Sequence, residues 1–298
     1  GFPSQALTLF WNMGLARVEP NNVTFSCLLK GCSILGSFHI GKLIHKYIVD
    51  IGSEMHVFVG SALIDMYIKC GSIHDAYKVF NQMQDRNIVS WSTMICGFVQ
   101  CKHGHIASTL FSDMLLEGLQ PNEVTFISIL KGCALMVDLE QGRCIHFLVK
   151  ESGHHEDIFV ETNIIDMYAK CGSLLDAREV FNKMAEHTVI TFSTMLSAYI
   201  QSGEVVEALN LFEQMRSMKL KPDKITFVSM LKGLAMIDDL EEGKKIHDLI
   251  RTYGYESDKV VGSALLDMYA KCMSVENVQK VFDQLDEQDV VSWSSIIA

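Results

Sequence analysis

Apolar residues recur along this chain with a helical beat that breaks at short, regular intervals. Leu63, Met66 and Tyr67 keep the i, i+3, i+4 spacing of one helix face, and after Gly71 a second stripe, Ala76, Val79, Phe80 and Met83, keeps i, i+3, i+4, i+7. Two amphipathic helices therefore meet at a glycine, and Gly71 and Gly172 suit the positive φ of a helix stop. The pattern is written three times. SALIDMYIKCGS at 61–72 returns as TNIIDMYAKCGS at 162–173 and SALLDMYAKCMS at 263–274, a spacing of 101 residues. NVTFSCLLKGC at 22 returns as EVTFISILKGC at 123 and KITFVSMLKGL at 224; IVSWSTMI at 88 returns as VITFSTML at 189 and VVSWSSII at 290.

Each 101-residue block divides into units of 35, 31 and 35 residues: 22–56, 57–87 and 88–122, then 123–157, 158–188 and 189–223, then 224–258, 259–289 and a partial 290–298, with a truncated unit at 1–21. Pro20, Pro121 and Pro222 mark where the second helix of a 35-residue unit ends. A hairpin of this size cannot bury its apolar face alone, so the units are predicted to stack into one all-α solenoid whose inner surface is lined by the first helix of each unit. Tyr67, Tyr168 and Tyr269 should then share one kind of environment.

Composition narrows the class. Of 298 residues 49% are apolar and only 4 are proline, without low-complexity tracts or runs of like charge, so the chain is packed throughout. No stretch approaches the ~18 to 20 uninterrupted apolar residues of a membrane span, and no membrane association is expected. The nine cysteines include Cys70, Cys171 and Cys272 on the repeat, and no CxxC; Cys27 with Cys32 and Cys96 with Cys101 are too loosely spaced for a zinc knuckle. They read as reduced thiols in a reducing compartment. The chain opens on Gly1 and ends at VSWSSIIA in mid-pattern, so a targeting segment or a terminal domain is expected outside it.

Helical hairpins of about 35 residues with F-x-x-M near the end of the second helix and Pro before the boundary resemble pentatricopeptide repeats. The order of VTF…LLKGC…G…IH, VFVGSALIDMYIKCGS and VSWSTMI…LF…M…PN resembles the L, S and P units of the plant PLS subfamily, over residues 1–298. Tetratricopeptide repeats, at a uniform 34 residues with W…LG…Y, do not fit. The resemblance implies a right-handed α-solenoid superhelix that binds single-stranded RNA in mitochondria or chloroplasts, one nucleotide per unit, read by the fifth residue of a unit together with its last.

Carried onto this sequence, the base-reading positions are Asn21 closing the truncated unit, Ser26 with His56, Ser61 with Asn87, Ser92 with Asn122, Ile127 with Asp157, Thr162 with Thr188, Ser193 with Asp223, Val228 with Asp258, Ser263 with Asp289, and Ser294. By the resemblance, Ser or Thr with Asn favours adenine and with Asp favours guanine. The expected target, 5′ to 3′, is A or C, any, A, A, any, unassigned, G, any, G, purine; Thr162 with Thr188 departs from the usual pairs. The bland alternative is that Ser, Thr, Asn and Asp here cap helices or shape turns. Val23, Phe58, Val89, Val124, Phe159, Ile190, Ile225, Val260 and Val291 stand where an aliphatic residue packs on a base face, or alternatively where repeats pack together. Lys69, Lys170 and Lys271 end the first helix of each S unit, where a lysine meets RNA phosphates or complements the helix dipole.

A formal charge of −11 and a pI near 5.4 run against a binder driven by charge, so modest affinity with a shallow salt dependence is expected, with acids such as Asp75, Glu179, Glu207, Glu241 and Glu242 facing outward from second helices. Cys101, His103 and His105 mimic metal ligands but read as a surface turn in a unit where Gly104 sits two residues late. HHE at 154–156 is half of the zinc-deaminase signature, without its P-C-x-x-C half. His45, His146 and His247 recur in L units as packing residues. No catalytic residue, metal or cofactor is expected. The resemblance points to the specificity portion of a cytidine-to-uridine RNA editing factor, with multiple organellar RNA editing factors as protein partners. The alternatives are an organellar splicing or stability factor, or a helical scaffold for protein–protein interaction.

Overall fold

The computed structural model describes residues 3–52, 56–284 and 293. Among them lie seventeen α-helices, one 3-10 turn at His154–Glu156 and no strand, the make-up of an all-α helical-repeat solenoid. The helices gather in two compact units, Gly1–Val149 and Lys150–Ala298.

In the first unit α1 (Pro3–Leu15) precedes three hairpins, α2 (Asn22–Leu35) with α3 (Phe38–Asp50), α4 (Val57–Lys69) with α5 (Ile73–Gln82) and α6 (Ile88–Gln100) with α7 (Gly104–Leu116); α8 (Glu123–Met136) and most of α9 (Leu139–Glu151) follow. First helices stack on one another, α2 on α4, α4 on α6 and α6 on α8, while α3, α5 and α7 each pack on their own first helix and on the next. Burial follows from this placement. Sandwiched α4 buries Val59, Leu63, Ile64, Met66 and Tyr67 around more than half its girth, whereas outer α5 buries one stripe, Ala76, Val79 and Phe80.

The second unit repeats the scheme with α10 (Ile158–Lys170) and α11 (Leu174–Lys183), α12 (Val189–Gln201) and α13 (Val205–Ser217), α14 (Lys224–Met236) and α15 (Leu240–Thr252), and α16 (Lys259–Lys271) and α17 (Val275–Gln284). Here α10, α12, α14 and α16 form the stacked inner layer.

The core is periodic. Phe25, Phe126 and Phe227 are wholly buried, each contributing on the order of 1.5 to 3 kcal/mol of transfer free energy. Tyr67, Tyr168 and Tyr269 are all buried, and the hydroxyls of Tyr67 and Tyr269 lie 2.7 and 2.8 Å from Nδ1 of His45 and His247, joining an L unit's second helix to the next first helix. Trp91 meets Phe80 edge-on at 4.7 Å beneath the Arg86 guanidinium; in the second unit Phe192 meets Phe181 at 5.2 Å and His187 takes the place of the arginine.

Each S hairpin turns on one residue of positive φ. Gly71 (81°) and Gly172 (76°) adopt it freely, but at the third copy the residue is Met273 at 53°, its side chain 90% exposed and so gaining nothing in packing. In the first P unit Lys102 takes the turn at 62°, the role of Gly203 at 79° in the second. Gly104 is not a displaced turn glycine: it opens α7, where a Cβ would stand 2.7 Å from the Met136 side chain. An L-residue in the left-handed region costs roughly 1 to 2 kcal/mol, partly offset by the greater freedom glycine has when unfolded. Replacing Met273 by glycine is therefore expected to stabilise the chain by about 1 kcal/mol, and Gly172→Met to destabilise it similarly, in urea titrations followed by circular dichroism.

Candidate nucleic-acid interface

The amides in the first turn of every inner helix need acceptors, and for seven of them the last residue of the preceding unit supplies one. Asn21, Asn87, Asn122, Asp157, Thr188, Asp223 and Asp258 each cap a first helix by accepting a hydrogen bond from a backbone amide within it. His56 precedes α4 without a side-chain cap bond. The capping alternative thus describes these residues correctly, yet in the Asn and Asp residues it uses only one of two polar side-chain atoms.

In both P units the cap is part of a larger cluster. Asn122 Oδ1 accepts from the Thr125 amide at 3.0 Å and the Thr125 hydroxyl at 2.8 Å, and lies 3.5 Å from Ser92 Oγ, which sits 2.6 Å from Thr125 Oγ1. Asp223 Oδ1 accepts from the Thr226 amide and hydroxyl, both at 2.8 Å, and lies 3.3 Å from Ser193 Oγ, itself 2.7 Å from Thr226 Oγ1. These bonds leave Nδ2 of Asn122 and Oδ2 of Asp223 unengaged. One presents N–H donors and the other a charged acceptor, on an otherwise superimposable scaffold. The remaining fifth-position hydroxyls each donate to the carbonyl four residues back: Ser26 to Asn22, Ser61 to Val57, Thr162 to Ile158 and Ser263 to Lys259. Ser61 and Asn87, Thr162 and Thr188, and Ser26 and His56 are not joined by a hydrogen bond. Asp289, Ser294 and Val291 lie outside the described residues.

The residues beside these clusters are apolar and exposed. Val23, Phe58, Val89, Val124, Phe159, Ile190, Ile225 and Val260 keep between 51% and 70% of their surface open to solvent. Packing between repeats leaves them open to solvent. They wall two slots of matching construction. One, of about 370 Å³, lies between Val89 and Val124 with Ser92 and Asn122 in its lining and Asp65 and Lys69 at its edge. The other, of about 290 Å³, lies between Ile190 and Ile225 with Ser193, Asp223, Asp166 and Lys170. Lys69, Lys170 and Lys271 pair with Asp65, Asp166 and Asp267 at 2.8, 2.7 and 2.9 Å. The threonines at 125 and 226, the third residue of their units, were visible as part of the repeated TF phrase, but nothing in the phrase linked them to Ser92 and Ser193.

Elsewhere the titratable groups serve packing. Burial, with Cys70 nearby, pushes the Cys32 thiol up to about 11, and burial, with Asp75 and Cys70, pushes Tyr67 to about 12, so neither is primed to ionise near neutrality. Tyr269 is likewise pushed to about 12, chiefly by burial. Cys101 ends α6 and His103 precedes α7, and no group of three or more metal-ligating side chains gathers among the described residues.

The family model described as the PPR repeat family matches residues 86–134 and 187–236, and that described as the PPR repeat matches 61–88, 162–189 and 225–255. Three pentatricopeptide repeat-containing proteins of Arabidopsis thaliana are similar over nearly all of this chain: a putative one at 34% identity (98% of this chain, 43% of the relative), one named chloroplastic at 35% (100% and 37%) and one named mitochondrial at 34% (100% and 29%). The chain thus spans less than half of each. The crystal structure of the pentatricopeptide repeat protein PPR10 in complex with an 18-nt psaJ RNA element matches with a TM-score of 0.79 at 19% identity, over 99% of this chain and 44% of that one, a likeness of fold.

His247 supplies a test of the packing. Burial, and then the nearby Arg251, hold its imidazole below the ordinary value, against weaker opposing effects of Glu256 and Asp248. A depressed native value means that below the unfolded value near 6.5 the unfolded chain takes up the proton first, so stability is complete above that pH and lost as pH falls through the native value. Denaturation midpoints should fall on acidification from about pH 7.5 to 5.5, and His247→Gln should flatten that fall.

Proposed function

The chain belongs to the pentatricopeptide repeat family, and from that premise we propose that its inner helices bind single-stranded RNA base by base. The observation that carries the reading is the pair of slots at the P units, each with an exposed apolar wall on either side and one polar atom of Asn122 or Asp223 left over from capping. An adenine offers the acceptor N1 on its Watson–Crick edge, which the Asn122 amide can meet as a donor. A guanine offers N1–H and N2–H, which the free Asp223 oxygen can accept. Val89 with Val124, and Ile190 with Ile225, would hold the base faces. The remaining assignments follow the same scheme: Ser61 with Asn87 for adenine, Ser263 with Asp289 for guanine, and little selection where Ile127 and Val228 stand. Lys69 and Lys170 stand at the slot edges, each beside its aspartate. The RNA held by PPR10 and the organellar names of two relatives support an organellar RNA as the ligand.

The order of long, short and ordinary units supports a finer reading, that the chain is a PLS array forming the specificity portion of a cytidine-to-uridine editing factor, working with organellar editing factors and with a deaminase outside these residues. The matched family models describe repeats, consistent with a binding element. The test is at Asp223. Asn and Asp cap helices about equally well, so Asp223→Asn should leave stability unchanged while moving preference at that nucleotide from G toward A, by ~1 to 3 kcal/mol of discrimination. Titration of both proteins against two RNAs differing at that nucleotide measures it; equal weakening of both RNAs would reduce Asp223 to a cap.

A further inference from the structure

The lysines that the sequence offered for RNA phosphates, at the thirteenth position of S units, are not the ones the structure leaves available. Lys69 and Lys170 reach their slots beside Asp65 and Asp166, so each pair brings no net charge to the slot edge. Every L unit carries a different lysine, at its ninth position: Lys30 on α2, Lys131 on α8 and Lys232 on α14. They stand one turn beyond Ser26, Ile127 and Val228, on the helix face that carries the exposed Val23, Val124 and Ile225. All three are exposed, and none has an ion-pair or hydrogen-bond partner among the described residues. The ninth position of the S units, by contrast, is Asp65, Asp166 and Asp267.

Around Lys232 the second unit holds a further slot, of about 320 Å³, between Ile225 and Val260. It shares the Ile225 wall with the guanine slot, and its polar lining is Ser197, Gln201, Lys224, Ser229 and Lys232. Lys224 is 3.8 Å from Asp258, which leaves Lys232 as the free cation. The fifth residue there is Val228, which offers a base no hydrogen bond. This slot therefore combines apolar walls with an uncompensated ammonium, the complement of a stacked base with an unread edge and a neighbouring phosphate.

We propose that Lys30, Lys131 and Lys232 hold backbone phosphates of the bound RNA, so that L units anchor the strand electrostatically while the P and S units read it. The inference rests on the RNA-binding reading above. An unpaired lysine that neutralises a phosphate releases a condensed cation and adds ~0.7 to the slope of log K against log salt on a single strand. A lysine already facing a carboxylate adds less, because the phosphate must approach the carboxylate as well.

The experiment measures affinity for a single-stranded RNA of the expected target sequence between about 50 and 300 mM KCl. Three proteins are compared: the unaltered chain, Lys30→Gln/Lys131→Gln/Lys232→Gln, and Lys69→Gln/Lys170→Gln/Lys271→Gln. The L-unit variant should lose ~2 from the salt slope and keep its G-over-A preference at the Asp223 unit, the S-unit variant should lose less than half as much, and arginine at the three L positions should restore the slope. An L-unit variant with an unchanged slope, or an S-unit variant losing as much, would overturn the proposal while RNA binding stood. Failure of the unaltered chain to bind the RNA at the lowest salt would overturn the RNA reading, and this inference with it. All three lysines are exposed, so an unchanged thermal midpoint separates loss of contact from loss of fold.

Discussion

The hydrogen bond from a first-turn amide to the last side chain of the preceding unit ties this architecture to its recognition surface. An inner helix begins with amides that no residue of its own can satisfy, and a short oxygen-bearing side chain at the boundary satisfies them. Because that oxygen is committed, the rest of the side chain is held at a fixed height above the fifth residue. At the end of each P unit the third residue of the next unit, Thr125 or Thr226, braces both, its hydroxyl donating to the cap oxygen within 2.8 Å and lying within 2.7 Å of the serine. Preorganisation of this kind costs the ligand little ordering entropy. On the proposed reading it also makes base choice nearly neutral for stability, since Asn and Asp cap alike and differ only in the atom that remains.

The fold was legible because its period is long and its stripes are regular. The i, i+3, i+4 runs placed Leu63, Met66 and Tyr67 on a buried face, Ala76, Val79, Phe80 and Met83 on another, and all seven are buried. What escaped was chemistry that residue type does not signal. Residue type left Val23 and Phe58 open between packing on a base face and packing between repeats, and both are exposed. Positive φ at Lys102, Val137 and Met273 is imposed by the hairpin and not announced by the residue. Charge at the inner face stayed open for a related reason: a lysine ending a helix suits the dipole and a phosphate alike, and the aspartate four residues before it, inside the same DMY phrase, pairs with it.

The acidic balance of the chain is compatible with a polyanionic ligand on grounds of distance. Many carboxylates lie on second helices in exposed local pairs of little consequence for stability, Glu179 with Lys183, Glu213 with Arg216, Glu241 with Lys244 and Glu276 with Lys280. Packed helices are separated by roughly 8 to 10 Å, and the Debye length at physiological salt is about 8 Å. A charge on the outer layer is thus screened by at least one Debye length before it reaches the inner face, whereas a lysine on that face would, on the proposed reading, meet a phosphate at contact. The formal −11 consequently governs solubility and long-range repulsion more than it governs the slots. What decides local attraction is the sum over one helix face: zero where Asp65 stands beside Lys69, and positive where Lys232 stands between two apolar walls.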